Sequence, residues 1–137
     1  MPKLIALICK KPSISAEDFK TYYEAKHVPM IESLFPTLTD YKRTYLLESN
    51  MLNDALPLES EGGQTPFDVI TELTFDDEEG LNQFFAKGAD GEVVEAIRKD
   101  ESNFLDCEKA IMYRVHSKRI NIIQKITQVK LKEIRSI

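Results

Sequence analysis

Apolar positions along this chain recur with two periods, and the alternation between them predicts the fold. Lys3–Lys10, KLIALICK, is a short Ile- and Leu-rich run followed by Lys11-Pro12; its length and flanks predict a buried strand. Leu38–Glu48, LTDYKRTYLLE, reads as a second strand, with Thr39, Tyr41, Arg43, Tyr45 and Leu47 sharing one face. Phe67–Phe75, FDVITELTF, alternates most clearly: Phe67, Val69, Thr71, Leu73 and Phe75 on one face, Asp68, Ile70, Glu72 and Thr74 on the other. Lys109–His116, KAIMYRVH, predicts a fourth strand.

Between the strands the period lengthens to that of a helix. Phe19, Tyr23 and Met30 follow at helical spacing, with Tyr22 and Lys26 alongside. The Ser15 hydroxyl is placed to cap this helix, and Glu17 and Asp18 suit its positive end. Pro29 interrupts the pattern. It has no N–H for the Ala25 carbonyl, and its ring disfavours the α region at Val28. The first helix is therefore expected to end near Lys26 or His27, and a second to begin with Pro29 and run through Ile31 and Leu34. Asp76–Glu79 opens a further helix carrying Leu81, Phe84 and Phe85, and Gly88–Gly91 separates it from a turn or two bearing Val93, Val94 and Ile97.

The order β-α-β-β-α-β predicts an α+β, ferredoxin-like domain over residues 1–116, with a four-stranded antiparallel sheet and both helices on one face. The other face carries apolar strand positions that a monomer would leave bare, so a partner is expected. Two such sheets face to face make a dimeric α/β barrel. Ser49–Pro66 holds Asn, Asp, Pro and Gly-Gly with little periodicity, and is expected to be a long functional or mobile loop. Residues 117–137 form a basic tail with apolar residues at Ile120, Ile123 and Ile126, expected to be a helical extension packed on the dimer.

Composition narrows the function classes. With 137 residues, 42% apolar and 30% charged, the chain supplies one ordinary core. Its net charge of −5 and interspersed cations give no basic field for nucleic acid. No run is long enough to span a bilayer, and the N-terminus lacks a signal-peptide cleavage pattern. Cys9 and Cys107 lie apart without metal spacing, so free thiols in a reducing, cytoplasmic setting are expected. The chain has no P-loop, dinucleotide fingerprint, zinc spacing or nucleophile elbow.

Three segments resemble the EthD family of dimeric α/β-barrel proteins. KLIALICKKPSISAEDFKTYYEAKHVPMI is similar to that family's opening strand, Ser-capped helix with an aromatic pair, and His-x-Pro. FDVITELTFDDEEGLNQFF resembles its third strand and following helix, and ESNFLDCEKAIMYRV its final connection and strand. Together they cover most of Met1–Val115. The resemblance implies a homodimer with a cofactor-free pocket between helices and sheet. Some fungal relatives act on polyketide-like aromatics as decarboxylases, dehydratases or cyclases; others have no established activity.

His27 at the helix break is the first candidate for acid/base chemistry, since histidine titrates near neutral pH. The alternative is that it caps the freed Ala25 carbonyl or packs the break. Tyr23, one turn upstream, could polarise a carbonyl beside it. Tyr22 points about 100° away from Tyr23 and fits a surface position or a substrate contact. Tyr41, Arg43 and Tyr45 either line a pocket for an aromatic, acidic ligand or sit at a dimer interface. Glu72, on the opposite strand face, is either a pocket base or part of a dimer ion pair. Asp68 is expected to be solvated. His116 is a second acid/base candidate or a solvated strand end. Cys107 has no neighbour in sequence to lower its pKa. Three functions remain open: a cofactor-free lyase, cyclase or isomerase on a polyketide-like aromatic; a cofactor-free oxygenase of the anthrone type; and a binding module without chemistry.

Overall fold

The computed structural model describes residues 1–47 and 67–135; the expected loop Ser49–Pro66 lies outside them. Strand β1 (Lys3–Ile8) leads into helix α1 (Ala16–Tyr22), a π-helical turn (Tyr23–His27) and helix α2 (Val28–Leu34). Strands β2 (Leu38–Tyr45) and β3 (Val69–Phe75) follow, then α3 (Glu78–Gly88), α4 (Gly91–Glu101), β4 (Ile111–Val115) and α5 (Ile122–Arg135). The sheet order is β2-β3-β1-β4 with every neighbouring pair antiparallel. This is the ferredoxin-like arrangement. Strands β1 and β3 are shorter than the sequence pattern suggests, although Asp68 still donates to the Ile8 carbonyl and accepts from the Leu46 N–H beyond the strand ends.

Helices α1, α3 and α4 each begin where a side chain satisfies free N–H groups. Ser15 Oγ accepts from the Asp18 N–H at 3.0 Å, Asp77 from Gly80 at 2.8 Å, and Asp90 from Glu92 and Val93. Register then sorts the strand residues. Leu4, Ala6 and Ile8 align with Leu73, Thr71 and Val69, and all six are buried beneath the helices. Ile5, Leu7 and Ile70 take the other face with Ile111 and Tyr113, about half exposed.

The helix does not break before Pro29. Val28 keeps helical dihedrals, and its N–H reaches back five residues to the Tyr23 carbonyl. The wider turn shifts the hydrogen-bond register at the place where Pro29 has no N–H to give, so the chain passes the proline without stopping. A second cause lies in spacing. The buried residues Phe19, Tyr23, His27, Ile31 and Phe35 fall at every fourth position. In a regular α-helix each such step drifts by about 40° around the axis. One π turn takes back part of that drift and keeps these side chains on one side.

Phe104, fully buried just after α4, joins the layers. Its ring stacks on Tyr22 at 5.0 Å and meets Phe19, Tyr23 and His27 at 5.7, 5.4 and 5.1 Å. The Lys11 N–H donates to its carbonyl, which ties the end of α4 to the end of β1. The tail carries α5, whose Ile122, Ile123, Val129 and Ile134 are exposed. Among the described residues no helix is long and apolar enough to cross a membrane.

Candidate active site

The π turn sets Tyr23 and His27 edge to face, with ring centroids 5.2 Å apart. Both are buried, and both border a cavity of about 330 Å³ between helices and sheet. Its wall is mostly apolar, from Ala6, Ile31, Phe84 and Met112 among others, and Thr71 and Glu101 add polar groups. A concave, largely apolar site with a few converging polar groups is the usual form of a small-molecule pocket.

His27 is held from behind. Its Nδ1 lies 2.6 Å from Asp100 Oδ2, with both side chains largely removed from solvent. A carboxylate can only accept, so Nδ1 carries the proton and Nε2 keeps its lone pair. The other Asp100 oxygen accepts from the Tyr22 hydroxyl at 2.8 Å, and Tyr22 in turn accepts from Asn103 Nδ2 at 3.0 Å. Burial pushes the His27 pKa below the ordinary histidine value, and the hydrogen bond and charge of Asp100 oppose that without reversing it. The imidazole is therefore neutral near pH 7, as a general base must be.

The Tyr23 hydroxyl sits 2.7 Å from Thr71 Oγ1 and 3.2 Å from the Tyr41 hydroxyl. Burial raises the Tyr23 and Tyr41 pKa values, so this chain consists of neutral hydroxyls that can donate. Burial likewise raises the Glu101 carboxyl on the cavity wall. Its side chain accepts a long contact from Cys107 Sγ at 3.8 Å.

The structure thus joins Tyr23 and His27 at the cavity and distributes the other candidates elsewhere. Tyr22 stands behind the wall as a support for Asp100. Tyr41 reaches the site only through Tyr23. Arg43 forks onto Glu24 with contacts of 2.9 and 2.6 Å, and Tyr45 donates to the same carboxylate at 2.7 Å. Neither Arg43 nor Tyr45 lines the cavity, because Glu24 on the π turn draws both outward. Glu72 lies on the opposite sheet face, paired with Lys3 at 3.3 Å and Lys42 at 3.8 Å. His116 borders a separate surface hollow with Met1, Lys3 and Thr39. Asp68 is not merely solvated, since it accepts from the Lys10 N–H at 2.7 Å. Among the described residues no three His, Cys, Asp or Glu side chains converge as a metal would need.

Asp100, Glu101 and Thr71 are the site residues that pattern reading misses. One signal for the acids was available. Both end α4, where the helix dipole disfavours negative charge, and an acid there needs another reason to be present.

The EthD domain model matches residues 11–108. Among solved structures, the fold is similar to an ethyl tert-butyl ether d (EthD) family protein from Bacillus halodurans at 26% identity. Its TM-score is 0.58, over 86% of this chain and 99% of that one. HapK from Hahella chejuensis aligns at 10% identity and TM-score 0.53, over 88% of this chain and 97% of its own. A hydroxynitrile lyase from Passiflora edulis aligns at 14% and 0.50, over 87% and 96%. At those identities the last two show a shared fold alone. No curated protein matches the chain.

Proposed function

The chain belongs to the EthD family, and from that premise we propose that it is a cofactor-independent lyase, cyclase or isomerase acting on a polyketide-like or aromatic small molecule. The observation that carries this reading is the His27–Asp100 pair at 2.6 Å behind an apolar cavity. The fold accommodates lyase chemistry, since a hydroxynitrile lyase is built on it.

In this reading His27 Nε2 removes a proton from carbon next to a substrate carbonyl. The C–H electron pair moves into an enolate, whose oxygen is met by a hydroxyl of the Tyr41–Tyr23–Thr71 chain. Asp100 stabilises the imidazolium that forms. The same proton then leaves His27. Given to a departing β-hydroxyl, it releases water; given to the alkoxide of a closing ring, it completes a cyclisation; given to another carbon, it completes an isomerisation.

The homodimer belongs to the same proposal. Ile5, Leu7, Ile70, Ile111 and Tyr113 leave an apolar band on the sheet face away from the helices, and a second copy would cover it. The exposed apolar residues of α5 fit an extension laid on that partner.

His27→Ala tests the reaction. Turnover of a β-hydroxy or β-keto aromatic is expected to fall by about a thousandfold while the far-ultraviolet spectrum stays unchanged. A variant as active as the parent removes His27 from the chemistry and the proposal with it.

A further inference from the structure

We infer that the cavity is built for an uncharged aromatic or enolic ligand, and that Glu101 is the residue that turns away ligands carrying a carboxylate. The inference rests on reading the cavity as the reaction site, and it names the class of molecule that site accepts.

The charge around the cavity is one-sided. Among the described residues that line it there is no lysine or arginine, and its one histidine is tied to a carboxylate. Glu101 is on the wall, and Asp100 stands one position behind it on the same helix end. Arg98 acts on Glu101 but does not line the cavity. Both acids lie at the C-terminal end of α4, where the carbonyl ends of the helix add further negative potential.

The surroundings make that charge count. Ile97, Leu105, Phe84 and Met112 share the wall with Glu101, so a charge placed there is poorly screened. A ligand carboxylate would be buried beside two acids with no cation to pair with. A phenol, enol or ketone pays no such penalty. Within the proposed chemistry this assigns the site to dehydration, ring closure or tautomerisation of a neutral substrate. Loss of carbon dioxide from a free carboxylate would require the anion to enter.

Binding of 2-naphthol and 2-naphthoate to the full chain separates the two ligand classes. The sequence contains no tryptophan, so naphthyl fluorescence reports occupancy without overlap. The expected result is that 2-naphthol binds at least about tenfold more tightly near pH 7, and that Glu101→Gln narrows the gap by tightening 2-naphthoate. Met112→Lys gives an independent arm, because Met112 borders the cavity yet is 50% exposed and tolerates a charge. It is expected to raise 2-naphthoate affinity several-fold even if the Glu101 variant does not fold. Equal binding of both ligands by the parent chain, binding of neither, or a ratio unmoved by both substitutions overturns the inference. Charge selection together with full turnover in His27→Ala would instead remove the proposed reaction and leave this inference standing.

Discussion

His27 Nδ1 and Asp100 Oδ2 lie 2.6 Å apart although 73 positions separate them in the chain. The contact joins the π turn to the end of α4, and the stacked pair Tyr22 and Phe104 holds both sides in place. Asp100→Asn keeps the size of the side chain and removes the charge. A drop in kcat of about ten- to a hundredfold is expected, with KM little changed because Asp100 does not line the cavity. Asp100 also raises the proton affinity of His27, so the acid limb of kcat/KM should move to lower pH in the variant. Steady-state kinetics across pH checks both; a parent-like profile would mean that Asp100 only packs.

Acid should weaken the fold through His27. Its folded-state pKa is lowered from 6.5, with burial as the main cause. The unfolded chain then binds a proton that the folded chain refuses. The contribution to stability is complete above about pH 6.5 and is lost as pH falls through the window beneath it. Urea unfolding at about pH 7 and about pH 5 should show a smaller loss in His27→Gln than in the parent. Equal losses would contradict the buried neutral imidazole.

Arg43 separates a structural ion pair from a substrate contact. Its fork onto Glu24 is partly open to solvent, at 21% and 37% side-chain exposure. Arg43→Met should therefore lower stability by only about 1 kcal/mol. Turnover should stay within about twofold of the parent, since the pair faces away from the cavity. A large rise in KM would return Arg43 to the binding site.

The bare sheet face gives a test of assembly. Tyr113 is 52% exposed there, opposite Ile5. The parent chain should sediment as a dimer, and Tyr113→Asp should sediment as a monomer, because a buried charge without a partner opposes association. A monomeric parent would refute the dimer.

Legibility in the sequence followed the range of the interactions. β3 was readable because Val69, Thr71, Leu73 and Phe75 alternate with Ile70, Glu72 and Thr74, and a period of two survives any tertiary context. The Ser15 cap was readable because its partner is three residues away. His27 and Tyr23 were legible as a pair on one helix. Their supports were not, since Asp100 and Thr71 come to them from distant elements. Arg43 and Tyr45 share the pocket's sheet face with Tyr41, yet the pull of Glu24 decides where their ends go. The proline rule located the irregularity at residues 26–29 and mistook its kind, because it counts a missing N–H but not the fourfold spacing from Phe19 to Phe35.

That spacing constrains how such a chain can change over generations. The π turn is in effect one surplus residue held inside a helix. Loss of a single codon between Tyr23 and His27 would remove that surplus and leave a regular helix, with the tyrosine and the histidine three positions apart instead of four. Relatives with a helix one residue shorter here would lack the wider turn that sets the Tyr23 and His27 rings edge to face. A one-residue gap in an otherwise ungapped helix would then mark where the family divides in chemistry, even where the sheet and its cap remain intact.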